Sequence, residues 1–239
     1  MATSRPVGIK EEQQPNGSRL SSRSLTDLAV EAIRSKILSG EFAPGQRLVE
    51  ERLTELLGIS RPPLREGMRL LQQEGLIVTL PRRGSTVAAL DEDDVHEILT
   101  LRSGLEHMAI DLAMPVEDKS RLRSCWEALE AMESSAARED RAQLVRDGYA
   151  FHASIVALAG HRRLNNMYAS VQQQVMLCMA RNLRVREHHY EDLQQHVARH
   201  RYLLELIEKG DPQAVLAELA VHGERSFTLP AEEVPKTAP

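Results

Sequence analysis

Apolar positions recur every three or four residues along most of the chain, and one stretch near residue 80 breaks that rhythm. Ala29, Ile33, Ile37 and Leu38 share one face of a segment from Leu25 to Ser39, which Gly40 stops. Phe42-Ala-Pro-Gly45 reads as a turn. Leu53, Leu56, Leu57, Ile59, Leu64, Met68 and Leu71 form a single seam across two further helices. The first spans Val49 to Leu57 and turns at Gly58. The second is N-capped by Ser60, tolerates Pro62 and Pro63 in its first turn, and ends near Glu74-Gly75. The period then drops to that of strands. Leu76–Leu80 and Thr86–Leu90 are short β-branched runs on either side of Pro81-Arg-Arg-Gly84, a hairpin with a basic tip. Three helices and such a hairpin make a winged helix-turn-helix.

From Asp91 the helical period returns and no further strand is predicted. An acidic first turn, Asp91-Glu-Asp-Asp94, suits a helix N-terminus. Helices are expected at about 92–114, 118–137, 141–160, 163–184, 189–209 and 212–227, as an antiparallel bundle. The predicted fold is mostly α: an N-terminal winged helix-turn-helix (23–90), then an all-helical bundle (91–227). Residues 1–22, polar and carrying Pro6, Pro15 and Gly17, read as a disordered arm, and 228–239 as a flexible tail.

Charge divides along the same line. The chain has 239 residues and a net charge of −5. Residues 1–90 hold 13 Lys and Arg against 10 Asp and Glu (+3). Residues 91–239 hold 17 against 25 (−8). A basic head on an acidic body implies separate partners for the two. Two isolated cysteines, Cys125 and Cys178, exclude a disulfide framework and a zinc ribbon, and suit a reducing cytoplasm. No apolar run reaches the length of a membrane span, so no membrane partner is expected.

Arg61, Arg65 and Arg69 lie four apart, opposite the apolar seam. A helix packed on one side and cationic on the other suits the major groove, where arginine grips guanine O6 and N7. Ser60 at the helix start can meet phosphate. Arg82, Arg83 and Gly84 at the hairpin tip can reach the backbone or a minor groove. An arginine stripe alone also describes a solvated face. The turn, the cap and the basic hairpin decide for DNA.

In the body, His152, His200 and His222 each sit on an otherwise apolar face. His200 is ten residues before Gly210 and His222 eleven after Asp211. In a helical hairpin both lie roughly 15–16 Å from the shared turn, at one height. Helical bundles build metal sites this way; single core histidines satisfied by hydrogen bonds remain the alternative.

Leu38-Ser-Gly-Glu-Phe-Ala-Pro-Gly-Gln-Arg-Leu48, Leu57-Gly-Ile-Ser-Arg-Pro-Pro-Leu-Arg-Glu66 and Leu71-Gln-Gln-Glu-Gly-Leu76 strongly resemble the GntR family of bacterial transcription regulators. The resemblance implies that Arg61 and Arg65 read bases, helped by the Arg83-Gly84 wing. Pro62-Pro63 replaces the family's usual Thr-Pro or Thr-Thr, which removes a hydroxyl contact. Leu101-Arg-Ser-Gly-Leu-Glu106, Phe151-His152, Ala159-Gly160 and His200…Gly210-Asp211…His222 resemble the FCD effector domain of the FadR-like branch. That resemblance implies an Asp and three His around a divalent ion, zinc or nickel, completed by a small carboxylate effector. It also implies that Arg102 reaches into the effector cavity; an i, i+4 ion pair with Glu106 is the alternative. The family's Asp falls at Gly148 here. Asp147 is rotated about 140° from His152, against about 40° for a residue four away, so it points correctly only through a helix bulge. His196, one turn before His200, is the other candidate fourth ligand, or else a solvated histidine.

The expectation is a homodimeric, ligand-responsive repressor that reads a palindromic operator. A metal-sensing regulator is the alternative. A metalloenzyme fused to a DNA-binding head is disfavoured, because Val197 stands where a zinc protease carries its Glu.

Overall fold

Capping residues and left-handed glycines set most of the boundaries in the computed structural model, which describes residues 24–80, 82, 84–189 and 192–224. The expected arm, the whole of the expected tail, and Arg83 lie outside the described residues. Helix α1 (Leu25–Ser39) opens on a Ser24–Asp27 capping box and closes on Gly40 in the left-handed region. Helix α2 (Glu50–Leu57) ends at Gly58, φ +63°, a backbone turn that most side chains resist. Helix α3 (Arg61–Gln73) follows with Ser60 at its N-cap position. The Ser60 side chain makes no capping bond, contrary to expectation, and Pro62 in the first turn lowers the need for one.

The wing differs from its sequence reading in register and size. Strands β2 (Ile77–Leu80) and β3 (Gly84–Val87) pair antiparallel with Val78 opposite Thr86. The second strand therefore starts at Gly84, not Thr86, and ends three residues early. A two-residue strand β1 (Arg47–Leu48), missed in the sequence, joins β3 on its other edge. Two residues carry no legible period.

The body comprises α4 (Glu92–Ala113), a 3-10 turn at Lys119–Leu122, α5 (Arg123–Ala137), α6 (Arg141–Ala157), α7 (Arg162–Ser170), α8 (Gln172–His189), α9 (Leu193–Lys209) and α10 (Pro212–Glu224). The single helix expected over 163–184 is two, because the backbone at Val171 (φ −100°, ψ 6°) leaves helical values. Two apolar cores result. One lies under α1–α3 and the sheet, around Ile33, Leu64 and Leu71; the other fills the bundle, around Phe151, Leu129 and Ile207. Leu56, placed in the seam by its spacing, is 54% exposed.

The head sits on the body through α1, which packs against α6 and α8. A chain of ion pairs crosses this contact. Arg146 on α6 pairs with Glu31 on α1; Arg34 bonds Glu31 (3.0 Å) and, with its other arm, Glu74 at the end of α3 (2.6 Å).

Candidate nucleic-acid interface and metal centre

Helix α3 buries Leu64, Met68 and Leu71 and leaves Arg61, Arg65 and Arg69 exposed on its other side. Two of these arginines are held by carboxylates of the head itself. Arg65 Nε lies 3.0 and 3.1 Å from the two oxygens of Glu50, at the start of α2. Arg69 bonds Glu66 one turn back. These pairs are solvent-exposed, 65% and 41% for Arg65–Glu50, so either arginine can trade its carboxylate for nucleic acid at small cost. Arg82 stands exposed at the wing tip with φ +64°. Gly84, φ +85°, lies against the Arg47 guanidinium, which a Cβ there would approach to 3.7 Å.

In the body, α6, α9 and α10 bring His152, His200 and His222 together, and all three are buried. One candidate ligand atom from each lies within 4.8 Å of the others. The His200 and His222 ring centres are 4.5 Å apart, as the equal distance from the turn predicts. Burial foremost, then the neighbouring histidines and, at His222, Arg199 and Arg102 as well, keep His200 and His222 well below the usual histidine range. His152 is lowered by burial and by Arg102, against the pull of Glu106. Neutral rings keep the lone pairs that metals need.

The donor set fits a divalent ion. Nδ1 of His200 faces the His196 carbonyl at 2.8 Å and Nδ1 of His222 faces Glu218 at 3.4 Å, while Nδ1 of His152 lies 3.3 Å from Glu106 without a hydrogen bond. An oxygen behind the ring, as at His200 and His222, is how metal-ligating histidines are oriented. Nε2 of His222 is buried with no partner. A void of about 20 Å³ adjoins the three rings, room for one ion or one water. A tetrahedral ion about 2.0–2.1 Å from each nitrogen would draw these three donors closer together.

Neither candidate fourth ligand, Asp147 or His196, converges on the three histidines. Asp147 turns its carboxylate to Ser135 Oγ (2.5 Å) and Gln143 Nε2 (2.8 Å), away from the cluster, because α6 is regular and no bulge redirects it. At Gly148 a Cβ would meet the Met179 methyl at 3.0 Å, so a methionine fills the space an Asp would take. His196 stays beside the cluster, its ring centre 4.7 Å from that of His200 and its Nδ1 3.2 Å from Arg199, without joining the three convergent donors.

Arg102 makes the ion pair with Glu106 and also borders a cleft. Its Nε bonds Glu106 at 2.8 Å, and both side chains are buried. Tyr168 donates to the same carboxylate at 2.8 Å. Burial alone would raise Glu106, but Arg102 and His152 overcome it and hold the carboxyl well below its ordinary range. Yet Arg102 also lines a cleft of about 660 Å³ along α4, α8 and α10. Arg102 and His222 border both this cleft and the small void, and so form the partition between them. Glu106 and Tyr168 escaped the sequence reading. Glu106 entered only as an ion-pair partner, and nothing local marks Tyr168, 62 residues away, as its neighbour.

A winged helix-turn-helix with an exposed arginine face, joined to a helical body with a buried polar centre, defines the architecture of a DNA-binding transcriptional regulator with a second, all-helical domain. The comparisons with known proteins agree. Residues 25–87 match the gntR family of bacterial regulatory proteins, and residues 97–225 match the FCD domain. The chain is 30% identical to the uncharacterised HTH-type transcriptional regulator YdhC of Bacillus subtilis, across 80% of this chain and 84% of that one. It is 26% identical to the gluconate operon transcriptional repressor of the same organism, across 78% and 77%. Escherichia coli McbR/YncC shares the fold, with a TM-score of 0.63 at 23% identity over 85% of this chain and 95% of that one. The chain belongs to the GntR family of transcriptional regulators and carries an FCD domain.

Proposed function

We propose that this regulator acts as a homodimeric repressor whose operator affinity answers to a small carboxylate, with a divalent metal at His152, His200 and His222. The exposed Arg61–Arg65–Arg69 face carries the DNA half of this reading. Two copies related by a twofold axis would read a palindrome with half-sites about one helical turn apart. Naming of the gluconate relative as a repressor supports the direction of control.

The partition formed by Arg102 and His222 carries the sensing half. The void at the histidines has room for an ion but not for an organic acid as well. The effector therefore occupies the larger cleft, where the Arg102 guanidinium offers its planar fork to a carboxylate. When bound, a metal would supply a Lewis-acidic centre and tie three helices together. The protein's own part is orientation: Glu106 and Tyr168 fix Arg102, and backbone and carboxylate oxygens fix the rings. Helix α6 carries both His152 and Arg146, so the cluster and the ion-pair chain to α3 share one element. An effector can shift the head only by its differential affinity for two arrangements, typically about 1–3 kcal/mol.

DNA fragments selected from genomic DNA by the wild-type protein supply the test. Arg65→Ala should weaken their binding about 10- to 100-fold at fixed salt, as expected for losing one bidentate base contact of about 1–3 kcal/mol. The fold, followed by circular dichroism, should not change. An unaltered footprint would refute the arginine-face reading. Native mass spectrometry, with and without chelator, tests the metal separately.

A further inference from the structure

A third cavity lies where the head meets the body, and it belongs neither to the arginine face nor to the histidine cluster. It encloses about 220 Å³. Ile37, Phe42, Val87 and Leu90 come from the head; Leu177 and Ala180 come from α8. The polar lining is two arginines of α8, Arg181 and Arg184. Arg181 donates to the Leu90 carbonyl at 3.2 Å. Arg184 is different: its Nη1 is buried and has no partner.

The carboxylates of the surrounding elements are engaged elsewhere. Glu41 pairs with Lys36, Glu31 with Arg34 and Arg146, and Glu187 with Arg141; Asp94 caps α4. Among the described residues none pairs with Arg184. Burial and the neighbouring Arg181 charge press its pKa down from the usual arginine value, which is the signature of a cation lacking its counter-charge. A guanidinium nitrogen buried without a partner, as Nη1 of the half-buried Arg184 is, is costly. An anion here would both satisfy Nη1 and separate the like charges.

We propose that this interdomain cavity is a second ligand site, taking a monoanionic carboxylate with an apolar body of about benzoate size. The carboxylate would pair with Arg184 and the body would fill the apolar pocket. Size supports the assignment, since an apolar cavity of about 150 Å³ holds benzene. A bare inorganic anion would leave the apolar walls uncovered. Because the walls come from both halves of the chain, an occupant adds contacts that exist only while head and body are docked as they are here. The site thereby gives a small acid direct leverage on the placement of the DNA-binding head, independent of Arg102 and the histidines.

Methyl-labelled NMR of the full chain, titrated with benzoate, tests the site. Arg181 also borders the cleft along α4, so the readout is placed on Ile37 and Leu177, which do not. Benzoate should shift those methyl signals saturably. Benzyl alcohol, its neutral counterpart, should bind at least tenfold more weakly. Arg184→Met, which keeps the stem and removes the charge, should weaken benzoate at least tenfold. Should that variant fold poorly, Ala180→Leu fills the cavity without touching the charge and should have the same effect. Shifts that survive Ala180→Leu, equal binding of benzyl alcohol, or shifts confined to Leu99 and Leu219 of the cleft would each overturn the proposal.

Discussion

The head and the body of this regulator both carry arginine–glutamate pairs, and the two sets are opposites in cost. Arg65–Glu50 and Arg69–Glu66 lie in solvent, with each side chain 41–65% exposed. Arg102–Glu106 is 10% and 6% exposed. Exposed pairs gain little, because water screens them and long side chains lose freedom. A buried pair loses two hydration shells and holds only while its geometry is complete. The head therefore keeps its cations in reserve for an outside partner. In the body, Arg102 and Glu106 are committed to one another, arranged before any ligand arrives. Recognition of a long polyanion tolerates mobile arginines; discrimination of a small acid requires a fixed one.

The contrast can be broken most sharply at Glu106. Glu106→Ala leaves Arg102 buried and uncompensated and should cost about 3–5 kcal/mol in urea unfolding. Glu106→Gln, which keeps an acceptor for Tyr168, should cost less. A loss no larger than that of a surface pair would erase the distinction drawn here. Next comes the metal. Zinc at about 100 times its Kd should stabilise the protein by about 2.7 kcal/mol, seen as a higher thermal midpoint that chelator reverses. His200→Ala should abolish this shift, whereas a shift that persists would move the ion elsewhere. Gly148→Asp then sharpens the picture. The Met179 methyl it meets is the free end of a flexible side chain, so the Asp can enter. Zinc should bind at least tenfold more tightly, by calorimetry, if the missing carboxylate is what limits the site. The smallest effect is expected in the head: Arg69→Ala should leave the urea midpoint unchanged within experimental scatter, since Arg69 and Glu66 sit in open solvent.

Much of this architecture was legible because it is periodic or capped. The Leu25–Ser39 helix was legible in the sequence, since its apolar stripe and its Gly40 stop are local signals. The shared height of His200 and His222 followed from counting residues to one turn. Spacing failed where partners come from far along the chain. Leu56 has the period of a core residue and the exposure of a surface one, because among the described residues no element packs over it. The strand Arg47–Leu48 exists only because Ser85 and Thr86 lie beside it.

By itself the sequence determined what local rules can carry: a winged helix-turn-helix, a helical body, an arginine face, and three histidines on apolar stripes. Helical period, capping chemistry and chain geometry act over a few residues, so they are written where they act. Only the tertiary structure decided which neighbours meet. It turned Asp147 toward Ser135, closed Met179 over Gly148, set Tyr168 on Glu106, and left Arg184 unpaired between head and body. Those outcomes depend on which helix faces pack together, and packing is a property of the whole chain rather than of any stretch within it.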